Sequence, residues 1–145
     1  MDVLLGKGDG TFKFANNYAI RGTALVGGDF NGDGILDLAV AGGGVTILLG
    51  NGDGTFQAAH IYYPGGYVGV GDFNRDGIVD LAVGGASTVS VFLGHGDGTF
   101  QNAQAYAVLP DPVSMAVADF NGDGLPDIAV VDFDSGIVTI LLNAP

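Results

Sequence analysis

Three segments of this chain align without a gap. Gly28–Val40 reads GDFNGDGILDLAV, Gly71–Val83 reads GDFNRDGIVDLAV, and Ala118–Val130 reads ADFNGDGLPDIAV. A second motif, GDGTF, recurs at Gly8–Phe12, Gly52–Phe56 and Gly96–Phe100. The leading aspartates Asp29, Asp72 and Asp119 are 43 and 47 residues apart, and the phenylalanines Phe12, Phe56 and Phe100 are 44 and 44 apart. A period near 44 residues constrains the fold more than any other feature. Each repeat is one supersecondary unit that buries its apolar face only by stacking on its neighbours.

Within one period the residues divide into four short apolar runs. In the middle copy these are Tyr67–Phe73, Asp80–Gly84, Thr88–Leu93 and Phe100–Val108. They are rich in Val, Leu, Phe, Tyr and Ala and bounded by Gly, Asn and Asp, the pattern of an antiparallel meander. Glycine accounts for 27 of 145 residues with no collagen period, which fits many turns joining many short strands. All 16 acidic residues are aspartate, a turn and cap former, so the composition disfavours surface helices. The expected fold is all-β, a β-propeller of four-stranded antiparallel blades with about three blades per chain. As one repeat domain, residues 23–66 and 67–112 are each a blade. Residues 1–22 supply the third and fourth strands of a shared blade, and 113–145 the first to third strands.

Sixteen aspartates against Lys7, Lys13, Arg21 and Arg75 give a net charge of −12. Four scattered cations make no basic footprint for a phosphate backbone, so no nucleic-acid partner is expected. No apolar run approaches the roughly 20 residues of a membrane-spanning helix, so no membrane insertion is expected, and Met1–Asp2 does not open like a signal peptide. With no cysteine, disulfides, thiolate metal sites and thiol nucleophiles are excluded together.

The chemistry concentrates in the first motif, D-x-N-x-D-G-x-x-D. Oxygen-bearing side chains fall at loop positions 1, 3, 5 and 9. These are Asp29, Asn31, Asp33 and Asp37, then Asp72, Asn74, Asp76 and Asp80, then Asp119, Asn121, Asp123 and Asp127. Hard cations such as Ca²⁺ take six to eight oxygens at about 2.3–2.6 Å, and alternating ligands around a mid-loop glycine supply them. Gly34, Gly77 and Gly124 stand at that turn. By analogy with other calcium loops, the backbone carbonyls of Ile35, Ile78 and Leu125 are the position 7 ligands. Three carboxylates in nine residues repel one another unless a cation lies between them. Three Ca²⁺ per chain are therefore expected, ahead of Mg²⁺, which resists all-protein oxygen cages.

An EF-hand starts with the same residues but needs a bidentate Glu at position 12, between two helices. Here position 12 is Val40, Val83 or Val130, each inside an apolar run. The calcium β-roll has a nine-residue period and fails likewise. The DFNGDGxxDLAV loop paired with a GDGTF hairpin at this period closely resembles the FG-GAP/VCBS repeats of integrin α-subunit-like β-propellers, over essentially the whole chain. The resemblance implies a radial array of blades, with calcium held between the first and second strands of each. It also implies secreted or cell-surface proteins that bind protein or carbohydrate, some of them parts of larger enzymes. Arg75 at loop position 4 and Pro126 before the last ligand depart from the pattern.

The leading functional expectation is a calcium-stabilised structural and interaction module, extracellular or at the cell surface. The alternative is a calcium-dependent glycan-binding or adhesion propeller, with Tyr62, Tyr63 and Tyr67 as an aromatic rim. An enzyme, for instance one acting on polysaccharide, is not expected. Only His60 and His95 stand outside the carboxylates as acid–base candidates, and His95 occupies a turn position filled elsewhere by Lys7 and Asn51. Arg75 is expected to weaken cation binding in its own loop unless it points to solvent. Three blades fall short of the four to eight that close a propeller, so a homo-oligomer is expected, most simply a homodimer forming a six-bladed ring.

Overall fold

A computed structural model of the protein describes residues 1–144, apart from the side chains of residues 58 and 59. The described residues form thirteen strands, every pairing is antiparallel, and there is no helix among them. Strands β1 (Asp2–Gly6) and β2 (Phe12–Asn17) make a two-stranded sheet. Strands β3 (Ala24–Gly28), β4 (Asp37–Ala41), β5 (Val45–Gly50) and β6 (Phe56–Tyr62) follow as a four-stranded meander. The next meander is β7 (Tyr67–Gly71), β8 (Asp80–Gly84), β9 (Thr88–Phe92) and β10 (Gln104–Ala107). A three-stranded sheet closes the chain: β11 (Pro112–Ala118), β12 (Asp127–Asp132) and β13 (Val138–Leu141). The row of sheets does not close on itself.

Connection lengths explain the meander. Each aspartate loop joins a first strand to a second, so that Gly28 pairs with Asp37 and Gly71 with Asp80 at the loop mouth. Each GDGTF turn follows a third strand. Gly52 and Gly54 have φ of +80° and +86°, a region that costs an L-residue about 1–2 kcal/mol and glycine almost nothing. Asp53 Oδ1 accepts the Thr55 N–H at 2.8 Å and the Thr55 hydroxyl at 2.6 Å, and the Asn51 N–H donates to the Thr55 carbonyl. The same bonds hold Asp9 to Thr11 and Asp97 to Thr99.

The fourth strand of the second meander starts later than its apolar run predicts, at Gln104 rather than Phe100. Phe100 keeps only an isolated bridge to Gly94. Its N–H donates to the Tyr62 hydroxyl, as the Phe56 N–H at the start of β6 does to that of Tyr18, and its ring packs edge-on against Phe30 and Tyr62.

The core lies between sheets. Phe30, Val45, Ile47, Val68, Leu81, Val83, Phe92 and Phe100 form one apolar cluster that joins the two meanders. Ala82, Val89, Ile128 and Val130 join the second meander to the last sheet. First strands stack on first strands, β3 on β7 and β7 on β11. Val40, Val83 and Val130, the residues that defeat the EF-hand reading, are all buried in second strands.

Candidate metal centre

The three aspartate loops adopt one conformation. In the first, Asp29 Oδ1 accepts the N–H groups of Gly32 and Asp33 at 2.8 and 3.1 Å, and Oδ2 accepts that of Gly34 at 2.9 Å. Asn31 Oδ1 accepts from Asp33 N while its amide donates to Asp33 Oδ2 at 2.9 Å. Asp33 Oδ1 accepts the Ile35 N–H at 2.7 Å. Positions 1, 3 and 5 are thus within hydrogen-bonding reach of one another or of one another's backbone. The second loop repeats this through Asp72, Asn74, Asp76 and Ile78, without a counterpart at Arg75 of the Gly32 N–H bond. The third does so through Asp119, Asn121, Asp123 and Leu125. Around Asp119 the Gly124 N–H, aided by those of Gly122, Asp123 and Asn121, holds the carboxyl below the usual carboxylate range.

Position 9 does something different. Asp37, Asp80 and Asp127 open the second strands and are buried. Asp37 Oδ2 accepts the Phe30 N–H at 2.9 Å and Oδ1 the Gly50 N–H at 2.7 Å. Asp80 does the same with Phe73 and Gly94, and Asp127 with Phe120 and Asn143. The ninth residue therefore ties its loop to the end of the third strand of the same sheet. Burial pushes the Asp80 carboxyl up against the pull of its two N–H donors, and the charges of Asp76 and Asp72 push the same way.

Among the described residues, no three carboxylate or imidazole groups form a ready-made cage. The donor set is mixed, and it still fits a hard cation. A carboxylate oxygen carries about two lone pairs, so Asp29, Asp33 and Asp37 each keep acceptor capacity after their backbone bonds, as does the Asn31 carbonyl oxygen. The left-handed turns also fit, with Gly32 at φ +73° and Gly34 at +79°.

Arg75 holds the place of Gly32 in the second loop at φ +61°, a left-handed strain on a long side chain. It does not turn into its own loop. Its guanidinium donates to the Asp123 carbonyl of the next loop at 3.2 Å. The aspartate loops also dock onto neighbouring turns: the Gly98 N–H donates to the Phe30 carbonyl at 2.8 Å.

A family model of the FG-GAP-like repeat matches residues 29–83 and again 72–130. The chain belongs to the FG-GAP-like repeat family. Each match runs from the first aspartate of one loop to the second strand after the next, so the matched unit spans two neighbouring sheets. Membership carries a β-propeller-type interaction module as the coarse reading. Among curated proteins, none matches the chain significantly.

Residue reading missed the tyrosine hydroxyls. Tyr18 Oη accepts the Phe56 N–H at 2.7 Å and Tyr62 Oη the Phe100 N–H at 3.1 Å, each bond joining one sheet to the next. The signal was the 44-residue spacing of Tyr18, Tyr62 and Tyr106. Tyr62 is therefore committed to packing against Phe92 and Phe100 rather than to a binding rim, which leaves Tyr63 as the exposed ring of that group.

Proposed function

We propose that this FG-GAP-like chain is a calcium-stabilised interaction module, with one Ca²⁺ in each of its three aspartate loops and no catalytic role of its own. The ligands are Asp29, Asn31, Asp33, Asp37 and the Ile35 carbonyl, and their equivalents around Asp72 and Asp119. The observation that carries the reading is the same acceptor-rich loop built three times, each tied by a buried aspartate to the third strand of its sheet. A cation drawing in positions 1, 3, 5 and 9 fixes the loop. Because Asp37, Asp80 and Asp127 also bond the backbone, it fixes the sheet behind the loop. The Phe30 carbonyl and Arg75 reach the neighbouring sheet, so the order passes along the row.

Loops of this kind in extracellular modules bind at about 10⁻⁴–10⁻³ M, which suits millimolar calcium outside the cell. No helix of the described residues is long and apolar enough to cross a membrane. The partner is a protein or a carbohydrate at the module's outer surface. Thermal unfolding in millimolar calcium and then in chelator tests the metal. With a dissociation constant near 10⁻⁴ M, each site adds about 1.4 kcal/mol by mass action, about 4 for three. That is a large part of a small domain's stability. Coincident melting curves reject the reading.

A further inference from the structure

Contacts between neighbouring sheets recur along the chain, and each series stops one step short. The tyrosine hydroxyls of Tyr18 and Tyr62 each take a phenylalanine N–H from the following sheet. Tyr106, next in that series, instead lines an open groove of about 640 Å³ between β10 and β13. A Cβ on Gly54 would lie 2.6 Å from the Leu5 side chain, and one on Gly98 would lie 2.9 Å from that of Leu49, so each GDGTF turn sits down on the leucine of the preceding sheet. The next leucine, Leu93, lines the same groove, while Gly10 has nothing within 4 Å. Finally, a Cβ on Gly28 would lie 3.3 Å from Val79, and one on Gly71 3.2 Å from Pro126. Leu36 holds the place of Val79 and Pro126 in the first meander and is 63% exposed.

The unmatched halves are complementary. Groove residues Leu93 and Tyr106 lack a turn and a phenylalanine N–H, and Ala118 at the end of β11 lacks an apolar side chain. Gly10, Phe12 and Leu36 at the other end of the row offer all three, and Phe12 is 65% exposed. They cannot reach the groove of their own chain, because Tyr18 anchors the β1–β2 sheet beside the first meander through the Phe56 N–H. We propose that a second copy of the chain fills the groove with its Gly8–Phe12 turn and strand β2, and that the exchange is mutual, giving a closed ring of six sheets. The occupant is a copy rather than another protein because the missing contacts are the ones this chain already makes twice. Self-closure would give three sheets, below the four to eight of closed propellers.

Asn143 fixes which third strand stays. Its N–H donates to Asp127 Oδ1 at 2.8 Å, as Gly50 and Gly94 donate to Asp37 and Asp80. Strand β13 keeps its place, and the incoming β2 exchanges its pairing with β1 for the free edge of β13. Asn143 also donates its amide to the Phe73 carbonyl at 2.8 Å, the counterpart of the Phe30 carbonyl that accepts from Gly98. That oxygen has a second lone pair for the Gly10 N–H.

The inference does not rest on calcium, and its test reads assembly in calcium buffer. Light scattering across micromolar concentrations should give twice the 14.6 kDa chain mass. Phe12→Asp, at an exposed position of the single chain, should return the mass to one chain with the β circular dichroism retained. The chain has no cysteine, so Leu36→Cys and Ala118→Cys introduce the only thiols. The equivalent pair, Gly71 and Pro126, lies within disulfide reach. Chains carrying one substitution each, refolded together and oxidised, should form a covalent heterodimer, and neither should cross-link alone. A single-chain or triple mass, a dimer indifferent to Phe12→Asp, or folded mixtures that do not cross-link would overturn the proposal.

Discussion

The pentapeptide Val-Thr-Ile-Leu-Leu occurs twice, at residues 45–49 and 138–142, as a third strand in both places. Val45 and Ile47 are 0% exposed, whereas Val138 and Ile140 are 55% and 48% exposed. Both copies pair with a second strand in matching register, Ala39 against Ile47 and Ala129 against Ile140. The difference lies beyond that pairing: β5 has β6 on its other edge, and β13 ends its sheet. Strand β5 faces a second meander, and β13 faces none. Strand formation here is decided by local pattern, and burial by whether the neighbouring strand and sheet are present, as a stacked repeat requires.

The strongest way to break this comparison is to remove the same atoms from both copies. Ile47→Ala should cost about 2–5 kcal/mol in denaturant unfolding, because the cavity opens in a packed interior. Ile140→Ala, measured at nanomolar chain concentration, should cost under about 1 kcal/mol, as exposed positions do. Equal losses would mean that β13 is already covered in the single chain.

Next in size is the clamp that both meanders share. Asp37→Ala leaves the Phe30 and Gly50 N–H groups buried without their acceptor, at about 1–3 kcal/mol each. Asp37→Asn keeps one acceptor oxygen and should lose less. A chemical melt in chelator separates this structural loss from any loss of metal. An alanine variant as stable as the parent there would remove the clamp from the account.

A smaller effect contrasts the second loop with its neighbours. Arg75→Gly relieves a left-handed residue, worth about 1–2 kcal/mol, and gives up one exposed hydrogen bond to the Asp123 carbonyl. The net expectation is a gain of a few tenths to about 1 kcal/mol, seen as a raised melting temperature. Because the guanidinium turns away from its own loop, calorimetry should show little change at the second calcium site and a change at the third. A tightened second site alone would contradict the geometry.

The smallest effect lies in the GDGTF turns. Hydrogen bonds from the Thr55 hydroxyl and N–H hold the Asp53 carboxyl below its ordinary value. A depressed folded value stabilises the chain above the unfolded value and loses that contribution as pH falls through the folded one. Thr55→Val should move the Asp53 titration, followed by NMR, back up toward the ordinary carboxylate, with melting at neutral pH almost unchanged. An unmoved titration would show that the hydroxyl bond is not made in solution.

Much of this was legible in the residues because period, turn chemistry and loop spacing are local signals. The aspartate loops begin and end where GDFNGDG and DLAV place them, and the Gly-Asp-Gly turns fall between third and fourth strands. What escaped was long-range. The bond of the Phe100 N–H to the Tyr62 hydroxyl spans 38 residues and joins two sheets, so nothing close to Phe100 signals it. The double bond of Asp37 to Phe30 and Gly50 spans residues that meet only once the meander has formed, and position 9 alone does not distinguish a ligand from a clamp. The reach of Arg75 to Asp123 crosses 48 residues of sequence and depends on how two sheets stack.

Native mass spectrometry in calcium, followed by chelator, tests the central claim most directly, since it weighs the folded chain with its ions. The account predicts three calcium ions per chain, lost together with stability when the chelator is added. A folded species that carries no calcium at millimolar concentration would contradict it.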